Sequence, residues 1–218
     1  MSRLPRFGLA LALVAGAFLT SALLYPFLPP ILPTHWNAAG AIDGWMPKSR
    51  GAFIAPGVSL VIVGFLIAFE PASIREDGDD LKLRYYPGIV AAVAGLNFFV
   101  NLEVLLAGLG KHLDIPAHLA VAVGLLFVVL GNSLGKLPRN GTIGIRTPWT
   151  LADAQVWSRT HRVGGWLLVL AGVVMVVAGI GGWGPVPGLI AVGAALLMSV
   201  GYSYVLWRRV RDRGTGAP

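Results

Sequence analysis

Six continuous apolar runs divide this chain, near Phe7–Leu28, Gly51–Phe69, Tyr85–Leu109, Pro116–Leu134, Gly164–Trp183 and Pro185–Trp207. A bilayer hydrocarbon core about 30 Å deep takes roughly 20 residues of helix. Lipid supplies no partner for an unpaired backbone N–H or C=O, so such runs must be helices. A closed barrel would instead show alternating stretches of about 10 residues. Only 12% of the 218 residues are charged and 56% are hydrophobic, whereas a soluble domain carries about 25% charged residues. The sequence therefore predicts an all-α integral membrane protein with six transmembrane helices. Arg3 and Arg6 precede the first run as they would in a signal peptide. That run is longer than an h-region of about 7–15 residues and has no clear A-x-A site, so it reads as a retained helix.

The net charge of +7 sets topology rather than nucleic-acid binding. If the N-terminus is cytoplasmic, 14 of the 17 Lys and Arg residues fall inside and 3 outside. The positive-inside rule then places both termini in the cytoplasm, with the tail Arg208–Arg213 against the anionic inner leaflet. With no cysteine, disulfides, thiolate nucleophiles and Cys-ligated metals are excluded.

Two connections are long: residues 29–50 outside and 135–163 inside. Both are rich in Trp and Pro, and long connections in a compact protein are functional or disordered; these read as ordered interfacial loops. In the inner loop Asn140–Gly141 signals a turn. Thr150 suits an N-cap with Asp153 three positions on, which predicts a helix from Leu151. Trp157 and His161 then share a face, and Trp149, Trp157 and Trp166 suit the headgroup belt. Pro56 and Pro87 fall near expected helix starts, where proline is tolerated.

Within the membrane, Glu103 is the ionisable group that stands out, expected to snorkel or pair with Lys48, Arg50 or Lys111, or to line a pocket. Asn97 and Asn101, one turn apart and off the Glu103 face, predict interhelical hydrogen bonds. Asn132 is placed to cap or orient the inner loop. Glycines repeat at Gly165, Gly172 and Gly179, and at Gly124, Gly131 and Gly135, spacings that let helix backbones approach closely. No H-E-x-x-H or P-loop occurs, and no catalytic residue, metal site or cofactor is assigned. His35 with Asp43 and His112 or His118 makes only a weak outer metal candidate.

The stretch Leu130–Gly165 closely resembles the signature of the SdpI family, through Gly131, Asn132, Asn140, Ile143 to Leu151 (including Gly144, Arg146, Thr147, Pro148, Trp149 and Thr150), Val156, Trp157, Thr160, His161 and Arg162. The outer loop resembles the DUF1648 region that often precedes it, through Pro33, His35, Trp36, Asn37, Gly40, Asp43, Trp45 and Lys48. The expected division is 1–84 for the DUF1648-like region and 85–218 for the SdpI-like region, in one structural unit. The resemblance implies a multi-pass protein of the bacterial inner membrane, not an enzyme. The family's role is protection against a secreted peptide toxin, and it is implicated in sensing by holding a cytoplasmic repressor at the membrane. The partners implied are the lipid bilayer, a toxin at the outer loop and a soluble repressor at the inner loop. Arg146 is the expected charge contact and Trp149 and Trp157 the anchors, against an alternative in which the same residues brace the bundle. Two other readings stay open. The order helix, long loop, helix, short loop, helix occurs twice and suggests a small transporter or flippase of inverted halves, with Glu103 and Asn97 in its path. An intramembrane enzyme would need His161 beside Asp153 or another acid.

Overall fold

The computed structural model describes residues 4–37, 40–70, 80–141 and 143–214. The acidic stretch 71–79, conspicuous in the sequence, lies outside the described residues. Among them, six helices are long and apolar enough to cross a membrane, and the protein is an all-α multi-pass membrane protein. They are α1 (Gly8–Leu24), α2 (Lys48–Ala68), α3 (Asp80–Gly108), α4 (Ile115–Leu134), α6 (Ala154–Ile180) and α7 (Val186–Gly214), with the short α5 (Pro148–Ala152) before α6. Single 3-10 turns at Leu4–Phe7 and Tyr25–Phe27 flank α1.

Several helices begin earlier than hydropathy predicts. Polar first turns extend α2 back to Lys48 and α3 back to Asp80, so Pro56 and Pro87 are interior rather than near helix starts. Both are buried against neighbouring helices, the setting in which a membrane helix tolerates proline. The outer connection is not irregular. Ile31–Trp36 (β1) and Ile42–Pro47 (β2) form an antiparallel hairpin, a small β element on the helical bundle.

The first three spans pack mutually with α3 central, around Phe7, Val14, Val63, Tyr86 and Val90. In the second group α4 and α7 each pack on α6 and barely on one another. The two groups therefore do not share one packing plan, which removes the main support for inverted halves. They meet along α3 and α4 and through the inner loop, whose Leu137 and Ile143 insert into the core of the first group.

Among the described residues α4 and α6 pack most extensively, and the heptad glycines let their backbones touch. A Cβ on Gly131 would lie 2.6 Å from the Gly165 carbonyl oxygen, and one on Gly124 would lie 2.7 Å from that of Gly172. At the outer end, a Cβ on Gly179 would lie 2.8 Å from the Ala117 oxygen. Backbone meets backbone in the antiparallel register 131/165, 124/172 and 117/179, so van der Waals contact replaces the hydrophobic drive that lipid cannot provide.

A second clamp joins α1 to α3. Asn101, fully buried, donates to the Ala17 carbonyl at 3.2 Å and exchanges hydrogen bonds with Ser21. The expected interhelical bond is present at Asn101. Asn97 instead donates to Val93 of its own helix at 2.9 Å. Replacing Asn101 with leucine is expected to lower stability by about 1–2 kcal/mol, the upper range for a polar contact between membrane helices. Unfolding in mixed micelles measures this, and an unchanged curve contradicts it.

Candidate functional site

The outer motif builds the hairpin. At its tip the Asn37 carbonyl accepts the Gly40 amide at 2.9 Å, the Asn37 side chain accepts the Ala41 amide at 3.0 Å, and Gly40 takes φ 79°, which a side chain disfavours. Pro33 lies opposite Trp45 in the ladder, where an edge strand tolerates proline. Asp43 meets His35 Nδ1 at 2.5 Å on the exposed face. Gly44 went unnoticed in the sequence, yet a Cβ there would lie 2.6 Å from the His35 Cβ. At the base the Lys48 amide donates to Pro30 at 2.8 Å, and its ammonium sits 4.7 Å from the Tyr25 ring centre. Leu32, wholly buried, roots the hairpin between α2 and α3. Trp36 and Asn37 reach the outer ends of α4 and α7, lining a 270 Å³ cavity with Pro116 and Leu189.

Glu103 pairs with none of the three expected cations. Its carboxylate meets His118 Nδ1 on α4 at 3.1 and 3.3 Å. The partner was hidden because it lies 15 residues away, across the turn between α3 and α4. The pair stands at the outer end of a 540 Å³ cleft between the two groups, walled otherwise by apolar side chains such as Leu96, Phe99, Leu125 and Val129. Ala92 to Glu103 spans eleven helical steps, so the cleft runs about 16 Å along α3. Asn97 does not line it, so the path expected of a transporter does not pass both residues.

The inner motif folds as a plug that ties the loop to three helices. Asn140 turns the chain, accepting the Ile143 amide at 2.7 Å and donating to Pro138 at 2.8 Å. The predicted helix start needs correction. Thr147, not Thr150, is the N-cap; Pro148 takes the first helical position it favours, and Thr150 completes the capping box. Asp153 then caps α6 by accepting the Val156 amide at 2.8 Å. Thr150 is fully buried and also donates to the Ile145 carbonyl at 2.7 Å.

His161 sits at the centre, with no exposed surface. Nδ1 lies 2.8 Å from the Trp157 carbonyl oxygen and Nε2 accepts the Ile145 amide at 2.9 Å. Those two contacts select the neutral tautomer protonated on Nδ1. Trp157 stacks on the imidazole at 3.9 Å, as their spacing predicted. It is a core residue, only 2% exposed, rather than a belt residue, and its indole N–H reaches Leu137 at 3.2 Å. Gly144 crosses this pair at φ 122°, where a Cβ would fall 2.3 Å from His161 Nε2. The acid needed by an enzyme reading is absent from these contacts, since Asp153 is committed to its cap.

Trp149 is half-buried against α7, donating to Ser203 at 2.8 Å and stacking with Trp207 at 5.8 Å. Trp166, 72% exposed, keeps the lipid-facing place expected of it. Arg146 is exposed and donates to the Gly141 carbonyl. Thr160 is buried in α6, whereas Arg162 is exposed beside Asn132, which accepts from Lys136 at 3.3 Å. The motif thus divides into a buried brace and an exposed rim that includes Arg146, Pro148 and Arg162.

Comparison with known proteins accords with both motifs. Residues 136–204 match the SdpI/YfhL protein family, and residues 12–60 match a domain of unknown function, DUF1648. No solved structure matches. The immunity protein SdpI of Bacillus subtilis (strain 168) is 30% identical over 171 residues, covering 78% of this chain and 79% of the relative. Neither family description names an enzymatic activity. The chain belongs to the SdpI family.

Proposed function

We propose that this protein confers immunity on the cell that makes it, acting in the bacterial inner membrane against a secreted membrane-active peptide. The observation that carries the reading is identity to an immunity protein across most of both chains. The geometry supports it: a hairpin exposes Trp45 and Ile31 at the outer face, and beside it a mostly apolar cleft ends at an acidic group. An amphipathic peptide entering from outside meets an apolar wall and a carboxylate within one span's depth. With both termini inside, the plug faces the cytoplasm, and its rim is where a soluble repressor would be held.

Expression in a Bacillus subtilis host deleted for its own SdpI, then exposed to the toxin that SdpI counters, tests the reading. Restored survival is expected. Killing at the parent rate, with the protein verified in the membrane, refutes it. In the same assay Arg146→Ala is expected to abolish protection while membrane level and thermal stability stay within error of wild type. The side chain lies on the rim and not in the brace, so its loss should spare the fold. Equal survival of variant and parent contradicts a functional role for Arg146.

A further inference from the structure

We propose that the groove between the plug-side ends of α6 and α7 is a binding site for the headgroup phosphate of an anionic phospholipid. Its walls come from two helical stripes. Gln155 and Arg159 lie four apart on α6, while Tyr202, Leu206 and Arg209 follow at four and three residues on α7, so each set shares one face. Together they enclose about 600 Å³. Among the described residues neither Arg159 nor Arg209 has a hydrogen-bond or ion-pair partner.

Three other charged groups nearby are engaged. Arg211 pairs with Asp212 at 3.6 Å and lies 4.8 Å from the Trp207 ring centre. Asp153, the acid next to Gln155, holds the cap of α6. Two unpaired guanidiniums facing one groove, with an amide and a phenol as further donors, fit the oxygens of a phosphate. The remaining wall is aliphatic and continuous with two spans, as an acyl chain requires and a soluble anion does not. Interhelical basic pockets at this depth suit lipid headgroups, and phenols favour the same level.

The full chain, delipidated in detergent, is titrated with phosphatidylglycerol or phosphatidylcholine, and bound lipid is counted by native mass spectrometry. Phosphatidylglycerol is expected to be retained in preference. A cation near the surface is worth about fivefold in affinity, so Arg159→Gln with Arg209→Gln should weaken retention by roughly 25-fold. Arg162→Gln with Arg211→Gln removes the same charge elsewhere and should leave retention near wild type. If the double site variant fails to fold, Arg209→Gln alone should give about a fivefold loss. Equal loss in the site and control pairs overturns the proposal by reducing it to general surface charge. Displacement of the lipid by millimolar inorganic phosphate overturns it as well, by assigning the groove to a soluble anion.

Discussion

Gly172→Leu is expected to leave little folded protein, the largest effect of any single substitution considered for the bundle. A Cβ at this position already lies 2.6 Å from the Gly124 carbonyl oxygen and 2.9 Å from the Val128 amide nitrogen. Those atoms belong to a helix backbone, so no side-chain rotation relieves the clash and α4 must move away from α6. Separation loses the contacts along the whole seam, including the equivalent approaches at Gly131 and Gly165. Overpacking a core with extra methylenes costs about 1–3 kcal/mol when side chains can adjust, so a backbone clash should cost on the order of 3 kcal/mol or more. Size-exclusion chromatography and thermal unfolding in detergent measure it, with Gly193→Ala as control, since no atom lies within 4 Å of a Cβ there. A Gly172→Leu protein that is monodisperse and unfolds with the parent would show that the seam is dispensable.

His161→Ala should open the inner plug without dissolving the bundle. The substitution strands the Ile145 amide, which cost about 1–3 kcal/mol in comparable buried sites, and empties a space under Trp157. Large-to-small changes in cores cost about 2–5 kcal/mol, so about 3–5 kcal/mol of local stability is at stake. Gly144→Ala attacks the same contact from the other side and should behave alike. The reading is tryptic cleavage after Arg139 or Arg146 in membranes opened to the plug side: rapid in both variants, slow in the parent. Resistance equal to the parent would mean that the loop holds by other contacts. Arg146→Ala, by contrast, is expected to keep the resistance at Arg139 while losing protection, which separates brace from rim.

The sequence foretold much of this, unevenly. The Asn140 turn, the Trp157–His161 pairing and the close approach at the heptad glycines were legible because each depends on local spacing or on one repeated residue type. Thr147 was missed as the cap because Thr150 and Asp153 offered the same chemistry three residues on. Only the backbone, extended at Thr147 and again at Asp153, showed two caps for two helices. Trp157 was assigned to the headgroup belt because composition marks tryptophan as interfacial, and burial by Leu137 from the preceding loop is not a local property. Glu103 was recognised as unusual, yet its partner was not, since pairing across a turn depends on how two helices rotate about their axes.

What the sequence determined by itself is the solvent, the number of spans and the family, since lipid forces every backbone group to be satisfied within its own segment and so writes each helix as a run of apolar residues. Tertiary structure decided the rest: which helix is central in each group, the register of the glycine seam, the hairpin above it, the acidic end of the α3–α4 cleft and the division of the motif into brace and rim. Those features depend on contacts between residues distant in the chain, and apolar runs that are nearly uniform around their circumference carry little record of which face meets which neighbour.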